Sequence, residues 1–203
     1  ELGLDQLEDI LTEPDMLVFC ETPANPTLAI LDIRDLARRA HDRGALLTVD
    51  NTFASPINQR PLELGADLVI HSATKYLGGH SDLTAGALMA SKALVKDVAA
   101  WRKNLGQLLS PETAALLSRS LRTLPVRVRQ HNDNALAVAQ AMASHPKVKR
   151  ALYPGLEQFP GHSLAASQMD GFGGMVTIEL DADQAQAAAV ADRLQVFLLA
   201  TSL

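Results

Sequence analysis

The stretch that most restricts what this chain can become runs from Ala66 to Asp82. Ala66-Asp67-Leu68-Val69-Ile70 is an apolar run of strand length, and it passes directly into His71-Ser72-Ala73-Thr74-Lys75-Tyr76-Leu77-Gly78-Gly79-His80-Ser81-Asp82. The pattern predicts a short buried strand with a lysine just past its carboxyl end. In an open α/β sheet that end borders the ligand crevice, so the Lys75 amine is directed toward a cleft rather than bulk water. Upstream, Ala45-Leu46-Leu47-Thr48-Val49 is a second apolar strand, closing on Asp50-Asn51-Thr52.

Two strand ends therefore deliver one carboxylate and one lysine. A carbonyl cofactor needing a Schiff-base amine and an anion beside a pyridinium nitrogen is served by such a pair. Taken singly, the two residues have plainer readings, a surface lysine and a helix-capping aspartate.

The remaining pattern supplies a frame. Leu4, Leu7 and Ile10-Leu11 predict a helix ended by Pro14, and Met16-Leu17-Val18-Phe19-Cys20 predicts a strand. Glu21-Thr22-Pro23-Ala24-Asn25-Pro26 follows, and its prolines exclude helix and predict an extended loop that holds Asn25 at a strand end. Ile30 to His41 is an amphipathic helix stopped by Gly44. Strand and helix alternate through Val49, Leu62-Glu63-Leu64 and Val69, which is the signature of a parallel sheet covered by helices.

Ala85 to Ala90 reads as a further buried strand, Ser91 as a helix cap, and Ser110-Pro111 as another helix start. A long helix is predicted from Pro125 to about His145. After it come a strand at 148–152, a helix at 164–169, a strand at 175–180 and an alanine-rich helix at 183–194. The expected fold class is α/β, with a mainly parallel sheet in residues 1–122 and a smaller α+β domain in residues 123–203.

Composition narrows the partners. The 203 residues are 47% hydrophobic, ample for a packed core, and 18 basic against 23 acidic side chains leave a net charge of −5 without a basic block. Nucleic acid and membrane are excluded as expected partners, and a small molecule remains. Cys20 is alone, so no intrachain disulfide forms, which suits a cytoplasmic location. Val196 to Ala200 is far short of the roughly 20 residues a membrane helix needs, and no signal or lipidation motif is present. The six histidines form no metal-ligand spacing. His80-Ser81-Asp82 are consecutive, so they cannot converge as a hydrolase triad and read as a turn.

Glu21-Thr22-Pro23-Ala24-Asn25-Pro26, Val49-Asp50-Asn51-Thr52-Phe53, Gly65-Ala66-Asp67 and His71-Ser72-Ala73-Thr74-Lys75-Tyr76 with Gly79-His80-Ser81-Asp82 resemble one family. It is the transsulfuration, or Cys/Met-metabolism, family of pyridoxal 5'-phosphate (PLP) enzymes. Its members include cystathionine γ-synthase, cystathionine lyases, methionine γ-lyase and homoserine-ester sulfhydrylases. The resemblance implies the PLP fold-type-I (aspartate aminotransferase-like) large domain with a C-terminal domain. It further implies a chain truncated at both ends, since Glu1 falls within a helix pattern and Ala200-Thr201-Ser202-Leu203 stops partway through a motif.

By the same resemblance, Lys75 forms the Schiff base and moves protons, while Asp50 keeps the pyridinium nitrogen protonated. Ser72 and Thr74 donate to the phosphate, Thr52 lies at the ring, and Asn25 approaches both the cofactor's phenolic oxygen and the substrate carboxylate. Ser202 is implied at the substrate carboxylate. The implied activity is β/γ-elimination or γ-replacement on sulfur amino acids or O-acylhomoserine in a homotetramer, of the cystathionine γ-synthase or γ-lyase type. Methionine γ-lyase or a homoserine-ester sulfhydrylase is the alternative, and a non-catalytic assembly piece is the alternative of another class. Thr201 stands where synthases and γ-lyases often carry Glu, and Ser120 where the family usually has Gly.

Overall fold

A computed structural model describes residues 6–13 and 16–200. Four strands, β1 (Leu17–Glu21), β2 (Leu46–Asp50), β3 (Leu68–Ser72) and β4 (Gly86–Ala90), lie side by side in that order. The first three are parallel, and the register sets Glu21 beside Asp50 and Asp50 beside Ile70. β1 and β2 therefore end level, and β3 runs two residues further to Ser72. A short helix α1 (Leu7–Ile10) precedes them; the remainder of the predicted first helix reaches into residues outside the described ones.

Helix α2 (Ile33–His41) carries the chain from β1 back to β2. Its start is set by Asp32, whose carboxylate accepts the Asp35 N–H at 3.0 Å, so it begins later than the periodicity from Ile30 predicted. Ile33, Leu36, Ala37 and Ala40 face inward and are buried against Leu47, Val49 and Val69. That packing covers one face of the sheet. On the other face, which bears Glu21, Asp50 and Ser72 by strand alternation, Leu17 and Phe19 remain 55% and 59% exposed. Between β2 and β3 run a short helix α3 (Ser55–Asn58) and a 3-10 turn at Pro61–Leu64.

Two local expectations change. Residues 73–85 contain no crossover helix but fold back through turns, so β4 returns antiparallel to β3. It is an outer strand with Gly86 exposed and the rest half-buried, rather than the buried strand predicted. The Thr22–Pro26 segment is also not extended. Its two Xaa-Pro bonds are cis, and Leu28 N–H to Ala24 O (2.6 Å) and Ala24 N–H to Ala29 O (3.1 Å) close it into a turn.

Helices α4 (Lys92–Asn104), α5 (Pro111–Leu121) and α6 (Leu124–Ala143) follow. Strand β5 (Val148–Leu152) then pairs antiparallel with β6 (Thr177–Leu180), with α7 (His162–Gln168) between them and α8 (Gln184–Ala191) last. A second core gathers Ala135, Ala139, Leu152, Tyr153 and Phe159 around Leu28 and Phe53. Because Leu28 and Phe53 come from the loops after β1 and β2, this core grips the same strand ends.

Candidate active site

Asp50 ends β2 half-buried, and its Oδ1 accepts the Thr52 N–H at 2.9 Å. The Thr52 hydroxyl oxygen then accepts the Ser72 N–H at 2.8 Å, while Asn51 N–H donates to Ile70 O at 2.9 Å. The end of β2 is thus strapped to the end of β3. Lys75 follows in a turn held by Lys75 N–H to Ser72 O (3.1 Å) and Gly79 N–H to Lys75 O (2.7 Å). Lys75 is half-buried and its amine makes no ion pair or hydrogen bond among the described residues, and the Ser72 hydroxyl likewise has no partner there.

Thr74 is placed differently from Ser72. Its hydroxyl donates to Ala85 O at 3.3 Å and accepts from Ala85 N–H at 3.1 Å, joining the turn to the start of β4. Any contact with a phosphate would compete with the bond to Ala85 O. Asn25 is exposed in the turn after β1, and its backbone N–H donates to the Glu21 carboxylate. Ser202 and Thr201 lie outside the described residues.

Burial dominates the electrostatics around Asp50. Burial pushes the neighbouring Glu21 carboxyl up; the Asn25 N–H opposes this and the Asp50 charge adds to it. Burial likewise pushes the Cys20 thiol up to about 11, with Asp50 adding. His71 goes the other way, because burial lowers it to about 4 against the pull of Asp50. Its Nε2 is buried without a hydrogen-bond partner among the described residues. His71 is therefore a neutral imidazole beneath the site.

Other contributors carry no signal in local sequence pattern. Arg127, on α6, donates to Tyr76 O (2.8 Å), Ser120 O (3.1 Å) and the Thr123 hydroxyl (3.1 Å), clamping the turn that carries Lys75. Its guanidinium lies directly over Gly79, where a Cβ would meet Nη1 at 2.0 Å. The glycine pair in the sequence was the one hint of that close approach. The Tyr76 ring packs edge-on to His131 at 5.4 Å. His80 Nδ1 lies 2.7 Å from Gly78 O and 3.2 Å from Ser120 Oγ, a turn lock rather than a triad. No group of three or more His, Cys, Asp or Glu suited to a metal occurs among the described residues.

The family model for the Cys/Met metabolism PLP-dependent enzymes matches residues 2–203. The chain belongs to this family. It is 46% identical over 201 residues to the cystathionine gamma-synthase of Mycobacterium tuberculosis (strain ATCC 25618 / H37Rv), covering 98% of this chain and 52% of that protein. The cystathionine gamma-lyase of Dictyostelium discoideum is 42% identical over 201 residues, with the same 98% and 52% coverage. Among solved structures, cystathionine gamma synthase from Xanthomonas oryzae pv. oryzae in complex with aminoacrylate and cysteine superposes with a TM-score of 0.95 at 46% identity. That match covers 99% of this chain and 52% of the other. The chain spans about half the length of the curated relatives it matches, and its architecture is the mixed-sheet α/β fold of fold-type-I PLP enzymes.

The residues of this Cys/Met-metabolism chain fit that cofactor by the chemistry of their donors. The amine of half-buried Lys75, without a partner among the described residues, suits an aldehyde, a strand-end carboxylate suits a pyridinium nitrogen, and the unpartnered Ser72 hydroxyl suits a phosphate oxygen.

Proposed function

We propose that this chain carries the lysine-bearing part of a PLP enzyme that performs β/γ-elimination or γ-replacement on sulfur amino acids or O-acylhomoserine. The type is cystathionine γ-synthase or γ-lyase, and the observation that carries the reading is the Thr52 strap. Thr52 joins Asp50 to Ser72 through one residue, which supports an acid and the lysine turn acting on one ligand at the carboxyl ends of the strands.

When bound, the cofactor supplies an aldehyde for an amine and a protonated ring that withdraws electrons from the substrate's Cα. Asp50 would hold the proton on the ring nitrogen by charge pairing. Ser72 would orient the phosphate, with Thr74 joining it on release of Ala85 O, and Thr52 would border the ring. Lys75 Nζ would hold the aldehyde carbon until the substrate's amine takes its place and frees it, and as a free amine would then take the Cα proton and return it along the substrate chain. Asn25 would receive the substrate carboxylate, with Ser202 assisting.

The wider reading is a cytoplasmic homotetramer in which residues 123–203 belong to a smaller C-terminal domain. Relatives named for γ-synthase and γ-lyase activity match almost equally well, which supports the chemistry without ranking the two. The full-length protein mixed with PLP should show a visible absorbance band that Lys75→Ala removes. A colourless wild-type protein would refute the reading and favour a non-catalytic assembly role. Turnover of cystathionine, methionine and an O-acylhomoserine then ranks the substrates.

A further inference from the structure

Gln59 is 1% exposed, and every polar atom of its side-chain amide is engaged. Nε2 donates to Thr22 O and to Asn51 Oδ1, both at 2.9 Å, and Oε1 accepts from Gln168 Nε2 at 3.0 Å. Asn51 returns a bond, its Nδ2 donating to Gln59 O at 2.8 Å and to Ser55 O at 3.2 Å. Gln168 extends the network by donating to Leu31 O at 3.0 Å. One amide thus links the exit of β1, the exit of β2, the loop entering α2, and α7.

The position of that hub is what matters. Thr22 begins the turn that carries Asn25, and Asn51 directly follows Asp50. The backbone bond between these two exits, Thr22 N–H to Asp50 O, is long at 3.4 Å. Gln59 spans the same gap with two well-formed bonds. The chemistry requires an amide, because two donors and an acceptor must act at once. A carboxylate would set oxygen against both Thr22 O and Asn51 Oδ1, and a thioether would leave them unpaired in the interior.

We propose that Gln59 is a positioning residue that sets the separation of Asp50 from the Asn25 turn. It thereby sets the distance between the group holding the cofactor ring and the group receiving the substrate carboxylate. The inference rests on the PLP reading above and adds to it a determinant of amino-acid binding. Loss of the hub lets the Asn25 turn drift from Asp50 while Lys75, anchored through Ser72, Gly79 and Arg127, stays in place.

The test uses the full-length protein loaded with PLP and the variants Gln59→Met and Gln168→Met. Glycine is the probe, since it offers an amine and a carboxylate but no leaving group; its Kd is read from the change in the visible spectrum. Gln59→Met should keep the visible band and weaken glycine binding about tenfold, and Gln168→Met, which removes the bonds to Gln59 Oε1 and Leu31 O but leaves those of Gln59 to Thr22 and Asn51, should weaken it about threefold. A lowered melting temperature with unchanged glycine affinity in Gln168→Met would overturn the proposal, even where Gln59→Met fails to fold. A wild-type protein without a visible band, or without any response to glycine, would overturn the PLP reading and this proposal together.

Discussion

The Ser72 N–H donates to Thr52 Oγ1 at 2.8 Å because the acceptor that a parallel ladder would provide is already taken. With Asn51 N–H bonded to Ile70 O, the next ladder bond would run from Ser72 N–H to Asn51 O, but Asn51 O accepts the Ser55 N–H at 2.9 Å instead. A side chain has replaced a backbone acceptor where β2 and β3 part.

Replacing that oxygen tests the strap. Thr52→Val keeps the shape and leaves the Ser72 N–H without its acceptor, at a cost of about 1 kcal/mol. PLP affinity of the full-length protein, followed by absorbance titration, should fall about fivefold, and Thr52→Ser should restore it.

The lysine turn has its own weak point. Gly79 has φ +70, and a Cβ there would meet Arg127 Nη1 at 2.0 Å. Gly79→Ala should therefore destabilise the protein by on the order of 2 kcal/mol in urea unfolding, from left-handed backbone strain and displacement of the guanidinium. Arg127→Met should cost a comparable roughly 1–3 kcal/mol, because it leaves Tyr76 O without its donor, whereas Ser120 O keeps the Thr123 N–H and hydroxyl.

Acid should weaken the fold through His71. Its folded pKa of about 4 lies below the ordinary histidine value, so between the two the unfolded chain binds more protons. Stability then rises with pH from about 4 to about 6.5 and is flat above, a contribution on the order of 3 kcal/mol. Glu21, whose carboxyl is pushed up, acts with the opposite sign and is common to both proteins under comparison. Chemical unfolding of His71→Gln across this range should show a flatter acid limb than wild type.

Cys20 should be a slow thiol. Burial and the Asp50 charge raise it to about 11, so the thiolate is scarce near neutral pH. Iodoacetamide at pH 8 should label the folded protein about a hundredfold more slowly than the urea-unfolded one.

Much of the frame was readable one residue after another. The spacing of Ile33, Leu36, Ala37 and Ala40 placed α2, whose buried face is those four residues. The apolar runs placed β1, β2 and β3 within a residue or two. The direction of β4 was not readable, since an apolar run looks the same in a parallel or an antiparallel strand. Thr74 was equally opaque: alternation put it on the side of Ser72, but the turn's closure onto Ala85 took its hydroxyl.

By itself the sequence determined which chemistries stand at the strand ends, because hydrophobic period and turn residues act over a few neighbouring positions. Lysine, aspartate and paired hydroxyls were set there by chain order alone. Only the tertiary structure decided which atoms meet. Arg127 reaches Tyr76 O across 51 residues, and Gln168 reaches Gln59 across 109. Such pairings come from strand register and from α6 and α7 packing onto the strand ends, and no local pattern encodes them.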